Sequence, residues 1–409
     1  MGFKLGICGA GAFSRAFTPL FKAHPAVDEV VVNDVLPERA EERAAEFGIS
    51  TVHGSLDDLC ASDVDAVAIM TQRQLHGPQS LKALKAGKHV YSAVPVGQTL
   101  DEVKAIVDAV EETGLIYMMG ETSYYYPSTI YCRNRFRAGD FGDVVYAEGQ
   151  YIHDMDHFYQ SFRRSGGDDW KKVAGLPPMH YPTHSTSMVL SVTGASATTV
   201  SCLGFVDDHE DGVFRKGANL WDNVFSNETA LFRTSDGSAL RVNELRRVGW
   251  RGMSSVQTSL FGTKGCFEEQ ANSQVWVTKE PEEMTELDEL LACADMPIEA
   301  QGDVDKVVLQ EFHSGVSKVH PVERLPAEFR GLPNGHLGTH QFLVDDFAKA
   351  VAANKLPPNH VWAAARYCVP GLVAHQSALR DGERLPVPDL GNPPAHWQHL
   401  YPYDVIEEA

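Results

Sequence analysis

Gly6-Ile7-Cys8-Gly9-Ala10-Gly11-Ala12-Phe13-Ser14 decides the fold of the first part of the chain. Phe3 to Cys8 reads as a short buried strand. Gly9 and Gly11 allow the backbone to turn sharply and come close to a ligand, and Ala12 to Lys22 has the spacing of a helix that starts there. This is the dinucleotide fingerprint, in which a pyrophosphate rests on the N–H groups and the positive dipole end of the helix. Ser14 stands where a third glycine serves helix–strand packing, and a small residue meets the same need. The next strand, Val30-Val31-Val32-Asn33, ends in Asp34. A carboxylate at that place accepts hydrogen bonds from ribose hydroxyls and repels a 2′-phosphate, so NAD is expected rather than NADP. An isolated glycine turn would lack this strand–helix–strand setting.

Working outward, Pro37 to Phe47 reads as a helix closed by Gly48, and Leu56 to Cys60 as a short acidic helix. Val64 to Met70 is a third apolar strand, followed by Thr71 and His76 and a helix over about 77–86. Val90 to Ser92 and Leu115 to Met119 are two further strands. Between them, Thr99-Leu100-Asp101-Glu102 has the form of a capping box. Strands and helices alternating at these lengths make a doubly wound parallel sheet, whose ligands sit at the carboxyl ends of the strands.

The pattern changes after about residue 122. A helix over Thr129 to Arg137 leads into strand-like runs at 143–151, 198–205, 227–234, 239–245, 255–261 and 273–277. Their alternation, with turns such as Asp236-Gly237 and Gly262-Thr263-Lys264-Gly265, implies an open, mostly antiparallel sheet. Residues 281–330 are acidic and Pro-rich and read as an insertion with one short helix. Gln341 to Ala353 and Ala363 to Arg380 are amphipathic and read as helices. The expected organisation is an NAD-binding Rossmann domain over 1–122, an α+β substrate and oligomerisation domain over 123–385, and a tail over 386–409.

The 409 residues, 43% hydrophobic, suffice for two cores. The formal net charge of -20, spread along the chain, argues against nucleic acid or an anionic membrane surface as partner, since phosphate binding needs a basic face. No apolar run reaches the ~20 residues of a membrane span, and Met1-Gly2-Phe3-Lys4 enters a strand at once, without a signal peptide. Cysteines 8, 60, 132, 202, 266, 293 and 368 are scattered, with no CxxC pair, which fits a reduced cytoplasm. The open sheet points to a homodimer or homotetramer.

The order of elements resembles the glucose–fructose oxidoreductase / inositol dehydrogenase (Gfo/Idh/MocA) family over nearly the whole chain. The matching pieces are the fingerprint, Thr71 with His76, Ala86 to Val90, Gly139 to Gly142, Gly262 to Gly265, Leu343 to Phe347 and His375 to Arg380. Simple sugar dehydrogenases of the family carry Glu-Lys-Pro after the fourth strand, and their lysine helps remove the substrate hydroxyl proton. Here Val94-Pro95 stands there, and Val94 neither donates, accepts nor takes a proton. The family's Asp-x-x-x-His becomes His180-Tyr181-Pro182-Thr183-His184. Both departures are similar to the NAD-dependent glycosidase branches, the alpha-N-acetylgalactosaminidases and sulfoquinovosidases. Tyr151 to Asp154 and Gly335-His336 look like further matches to the former.

What the resemblance implies is a sugar enzyme that oxidises C3 transiently, eliminates the C1 substituent, adds water and reduces C3 again. His184 is then the first candidate for the acid/base, since a neutral imidazole moves protons either way near pH 7. His180 and Tyr181 are further catalytic candidates, although only some of three neighbours at a helix start can face one pocket. Tyr126, the last of three adjacent tyrosines, is a proton-transfer candidate or a packing residue at the domain junction. Gly9, Gly11, Ala12, Phe13, Ser14, Asp34, Thr71, His76, Val94 and Pro95 are expected at the cofactor, and Glu121 at the nicotinamide ribose or the substrate. His153 and Asp154 are expected to line the sugar pocket. Arg163, Arg164, Trp170, Lys171 and Lys172 read either as a loop that fixes an anionic sugar such as a sulfoquinovoside, or as a solvated loop paired with Asp168 and Asp169. His336 reaches the pocket or, with His340, caps the helix beginning near Thr339. His153-x3-His157 is not read as a metal site, because zinc needs three or four converging ligands. Two other readings stay open: a plain NAD-dependent sugar or polyol dehydrogenase, and a non-catalytic NAD- and sugar-binding regulator.

Overall fold

Residues 2–250, 255–294 and 315–401 are described by a computed structural model, apart from the side chains of His157, Ser161, Arg164 and Ser165. The chain divides into two units: Met1–Ile130 with Leu290–Ala365 and Leu390–Ala409, and Tyr131–Glu289 with Arg366–Asp389. This differs from the linear division expected from the sequence, because the chain returns to the first unit twice. The first return is held by packing: Phe342, Leu343, Val344 and Phe347 join the apolar core formed by Leu5, Ile7, Phe17 and Phe21.

In the first unit, strands β1 (Phe3–Cys8), β2 (Val27–Asn33), β3 (Val52–His53), β4 (Ala66–Ile69), β5 (His89–Ser92) and β6 (Tyr117–Met119) form a parallel sheet. Their order is β3-β2-β1-β4-β5-β6. Helices α1 (Ala12–Ala23), α2 (Pro37–Phe47), α3 (Leu56–Ala61), α4 (His76–Lys85) and α5 (Leu100–Thr113) make the connections. Covered on both faces, such strands must be apolar throughout, and all four residues of β4 are buried. Thr99 caps α5 by accepting from the Glu102 N–H at 3.1 Å. The reciprocal half of the box is displaced by one residue, for Glu102 Oε2 accepts from the Gln98 N–H at 2.7 Å.

The chain continues through α6 (Pro127–Arg137), α7 (Tyr159–Gly166), α8 (Trp170–Ala174), α9 (Thr183–Thr193), α10 (Asp288–Leu291), α11 (His340–Ala353) and α12 (Val361–Ala378). Among the described residues the second unit holds a nine-stranded sheet in the order β14-β13-β12-β11-β7-β10-β9-β8-β15. Its strands are β7 (Val144–Ile152), β8 (Ala197–Val206), β9 (Phe225–Thr234), β10 (Ala239–Leu245), β11 (Val256–Gly262), β12 (Gly265–Glu269), β13 (Gln274–Thr278), β14 (Glu283–Glu286) and β15 (Leu385–Pro386). The β7–β10 pair is parallel and the others are antiparallel. β12, β14 and β15 add strands that the sequence reading left out.

One face of this sheet is apolar, with Ala147, Ala230, Phe232, Leu240 and Val242 buried. Helix α9 lies directly on it: a Cβ on Gly149 would meet the Ser185 carbonyl oxygen at 2.1 Å, so only glycine fits on β7 there. The opposite face leaves Leu203, Phe205 and Leu231 more than half exposed. In the stretch expected as an insertion, β14, α10 and short turns at Val322–Arg324 and Ala327–Phe329 are described, while 295–314 lie outside the described residues. Among the described residues no helix is long and apolar enough to cross a membrane.

Candidate active site

The expected cofactor residues of the first unit gather where the strands end. Gly9 has φ +102°, and a Cβ there would meet the Met70 carbonyl oxygen at 2.5 Å, so this turn requires glycine for both conformation and space. Gly11 is different. It has an ordinary φ of -73°, and a Cβ on it would meet nothing within 4 Å. The protein does not need glycine at 11 for its own packing; a ligand approaching the backbone does. Gly11 also caps α1 without any side-chain hydrogen bond, leaving the first N–H groups of the helix for an anion. Ser14 is fully buried, in keeping with the packing role of a third glycine.

Asp34 is buried, and its two carboxylate oxygens accept from the N–H groups of Ala10 at 2.7 Å and Leu36 at 2.9 Å. These bonds lock the carboxylate beside the glycine turn. The other strand ends are stitched together by backbone bonds: Met70 N–H to Cys8 O, Ala93 N–H to Ile69 O and Gly120 N–H to Ser92 O, at 2.8 to 2.9 Å. His76 spans two of these loops, with Nε2 3.1 Å from Thr71 O and Nδ1 3.1 Å from Pro95 O. Burial lowers its pKa, and the neutral ring between the two loops donates to one of these carbonyls at a time. Val94 and Pro95 are buried beside it. Glu121 is fully buried, and its Oε1 accepts from the Ser123 N–H at 2.9 Å, capping the turn Thr122–Tyr125. The residues present fit NAD: open backbone at Gly11, uncapped helix N–H groups and a fixed carboxylate at Asp34.

Phe13 lies in the first turn of α1, and its ring is 6.2 Å from those of His336 and His340. His336 Nδ1 and His340 Nε2 are 2.7 Å apart. His336 and Leu337 both have left-handed φ values, +45° and +56°, so the backbone is held in an unusual shape there. His336 thus pairs with His340, the first residue of α11, and that helix has no side-chain cap. Tyr126 is buried at the start of α6, beside Tyr125, which donates to the Asp346 carboxylate.

The catalytic candidates His180, Tyr181 and His184 lie in the second unit. Gly149 lets α9 sit against the sheet, and this places His184 edge-on to Tyr151, ring centres 5.3 Å apart, and 5.3 Å from Tyr181. Tyr151 OH is 2.7 Å from His153 Nδ1. His184 is itself 6% exposed. His180 turns elsewhere: its ring stands 4.9 Å from that of His375, whose Nδ1 is 2.8 Å from Glu228. Burial and His375 hold His180 well below the usual histidine range, hence neutral. Tyr181 and His184 therefore share one cluster and His180 joins another. Asp154 accepts from the Asp156 N–H at 3.1 Å.

Glu228, Glu244, Arg246 and Ser185 of this unit were not singled out from the sequence. Tyr151 is opposite Glu244 on β10, and Glu244 is opposite Glu228 on β9, so the three form one row across the covered face. Arg246, just past β10, ion-pairs with Glu244, and its guanidinium carbon sits 4.0 Å from the centre of the Tyr151 ring. Ser185 on α9 donates to the other Glu244 oxygen. The signal was available: the alternation Leu240, Val242, Glu244, Arg246 carries two charges onto a buried face.

The basic residues expected on a loop lie instead on α7 and α8. These helices form because Tyr159, Trp170 and Ala174 bury against Val213 and Phe214. Arg163 stacks on Trp170 at 4.6 Å, Lys171 lies 5.9 Å from the same ring, and Lys172 pairs with Asp169 at 2.9 Å. The Arg164 side chain lies outside the described residues, as does that of His157.

Residues 3–121 match the profile of the Gfo/Idh/MocA oxidoreductase family, NAD-binding Rossmann fold. A protein named glycosyl hydrolase family 109 protein from Saccharopolyspora erythraea is 24% identical over 98% of this chain and 85% of its own length. An alpha-N-acetylgalactosaminidase from Bacteroides fragilis is 33% identical, but over only 32% of each chain. Among solved structures, a levoglucosan dehydrogenase with NADH and levoglucosan superposes with a TM-score of 0.71 at 18% identity, covering 95% of this chain and all of that one. That likeness shows the shared two-part fold. Residues 3–121 thus belong to the NAD-binding Rossmann domain of the Gfo/Idh/MocA oxidoreductase family.

Proposed function

We propose that the protein is an NAD-dependent glycoside hydrolase that cleaves its substrate through transient oxidation at C3. The observation that carries the reading is His184, buried edge-on to Tyr151 and Tyr181, in a chain where position 94 is a buried valine. An imidazole so placed replaces an amine as proton acceptor for a sugar hydroxyl. Similarity along almost the whole chain to a family 109 glycosyl hydrolase favours cleavage over simple oxidation.

Gly9, Gly11, Ser14 and Asp34 would hold NAD, which supplies reversible hydride acceptance from a sugar carbon. A C3 ketone makes the C2 proton removable, so the C1 substituent leaves without the opposed carboxylate pair of ordinary glycosidases. His184 takes the hydroxyl proton on a ring nitrogen and returns it at the end of the cycle. Tyr151, bonded to His153, is a second group able to hand on a proton. The neutral His180, with His375 and Glu228, braces the turn before α9, since Glu228 also accepts from the Met179 N–H at 2.8 Å. The substrate is read as an uncharged sugar. Of the basic residues expected to hold an anionic one, Lys172 is already paired with Asp169 and Arg163 is stacked on Trp170.

The exposed apolar residues Leu203, Phe205 and Leu231 support a homo-oligomer formed through the open sheet face, which light scattering tests: a monomer would exclude it. For the reaction itself, the assay is hydrolysis of aryl glycosides followed at 340 nm as well. The proposal expects phenol release without stoichiometric NADH. Accumulating NADH and a keto-sugar would make the protein a dehydrogenase, and ligand binding with no turnover would make it a regulator.

A further inference from the structure

We infer that Arg246 is a substrate-binding residue of the second unit, and that its Nη1 donates to an uncharged oxygen of the sugar, a hydroxyl or an amide carbonyl. The inference rests on the carbohydrate reading above. The Arg246 side chain is 6% exposed, and its position is fixed from several sides. Its backbone N–H donates to Asn227 Oδ1 at 2.9 Å, Nη2 reaches Glu244 and, at 3.4 Å, Tyr181 O, and its guanidinium carbon lies 4.0 Å from the Tyr151 ring centre. Nη1, by contrast, is buried with no hydrogen-bond partner among the described residues. Leaving a guanidinium donor unsatisfied away from water is costly. The residues that share its surroundings, Tyr151 and Tyr181, are the ones against which His184 is packed. An oxygen of the reacting sugar is the acceptor this arrangement calls for.

The Glu244 carboxylate decides which oxygen. It lies against the same guanidinium, on a residue with no solvent exposure. A carboxylate or sulfonate arriving at Nη1 would meet Glu244 across the guanidinium, in surroundings with little water to screen the repulsion. A hydroxyl or amide oxygen meets no such repulsion. The arginine thus works as an oriented neutral-oxygen donor, while its charge is offset on the other side.

The test is calorimetric titration of the NAD-loaded protein with N-acetylgalactosamine, galactose and galacturonate, without turnover. At least one uncharged sugar should bind, and more tightly than galacturonate. Arg246→Gln should weaken that sugar about tenfold or more, the loss of one charge-assisted hydrogen bond, with Arg246→Lys in between. Glu244→Gln keeps the side-chain shape and removes the opposing charge, so galacturonate should gain about tenfold even where the Arg246 variants fold poorly. Unchanged sugar affinity in folded Arg246 variants would overturn the inference and leave the carbohydrate reading standing. So would a preference of the unaltered protein for galacturonate. Absence of binding by any sugar would overturn the carbohydrate reading as well.

Discussion

Alanine at Gly11 and alanine at Gly9 should fail in opposite ways, and the contrast separates a glycine kept for the ligand from one kept for the fold. At Gly9 the backbone has φ +102°, and a Cβ would lie 2.5 Å from Met70 O and 2.8 Å from its carbon. A left-handed L-residue costs about 1–2 kcal/mol, and the contact with a neighbouring backbone adds to it. A loss of about 2 kcal/mol or more is expected, a fall in Tm of about 4–8 °C for a unit of this size. At Gly11 φ is -73°, and a Cβ enters open space. Gly11→Ala should leave the ligand-free protein as stable as before, or raise stability by about 0.4–1 kcal/mol through the unfolded chain. The added methyl then stands over the N–H groups that begin α1, and NAD affinity should fall tenfold or more. Differential scanning fluorimetry of NAD-free protein and titration with NAD read the two effects separately. Undiminished NAD binding by Gly11→Ala would refute the placing of the pyrophosphate at this turn.

Further outcomes follow from other residues. His184→Ala should lower turnover by about 10²–10⁴-fold while NAD binding stays within twofold, read by steady-state kinetics and coenzyme titration. His320 accepts from the Ser317 N–H on Nδ1 and faces Tyr125 O through Nε2, both at 2.9 Å, and burial pushes its pKa down to about 4. The unfolded chain therefore takes up the proton first, below about pH 6.5. Stability should fall by up to about 1.4 kcal/mol per pH unit and by about 3 kcal/mol by pH 4, a component that His320→Gln removes from denaturant titrations. Arg324 pairs with Asp346 and stacks on Tyr125 and Tyr401. Arg324→Met should cost about 3–5 kcal/mol in urea unfolding, because Asp346 is left buried beside Asp345 without its cation.

Most of the parallel sheet was legible because its strands are short, apolar and followed by recognisable helix boundaries, as at Gly48 and Gly114, both left-handed caps, whereas β3, two residues long with Val52 exposed, carries no such signal. The nucleotide turn was legible for the same reason: its geometry is local. What escaped the sequence is set by register and by distant packing. His375 and Glu228 are 147 residues apart, and nothing local joins them. Glu244 and Arg246 could have been found by extending the alternation of β10, but their meeting with Tyr151 depends on the parallel β7–β10 pairing, which the turns did not announce. The amphipathic face of α11 was visible, but not that its partners would be Phe17, Phe21 and the first sheet. Between His180 and His184 the decision was conformational. The Pro178–His180 turn and the start of α9 send the two rings to different clusters.

The central claim is that a hydride is borrowed and returned within one cleavage. It is tested most directly by hydrolysing an aryl glycoside deuterated at C2 in ordinary water and following the label in the released sugar by NMR and mass spectrometry. Removal of the C2 proton beside a transient ketone predicts that the sugar emerges with protium at C2 and that no net NADH appears. A product that keeps all its deuterium through complete turnover would contradict the account.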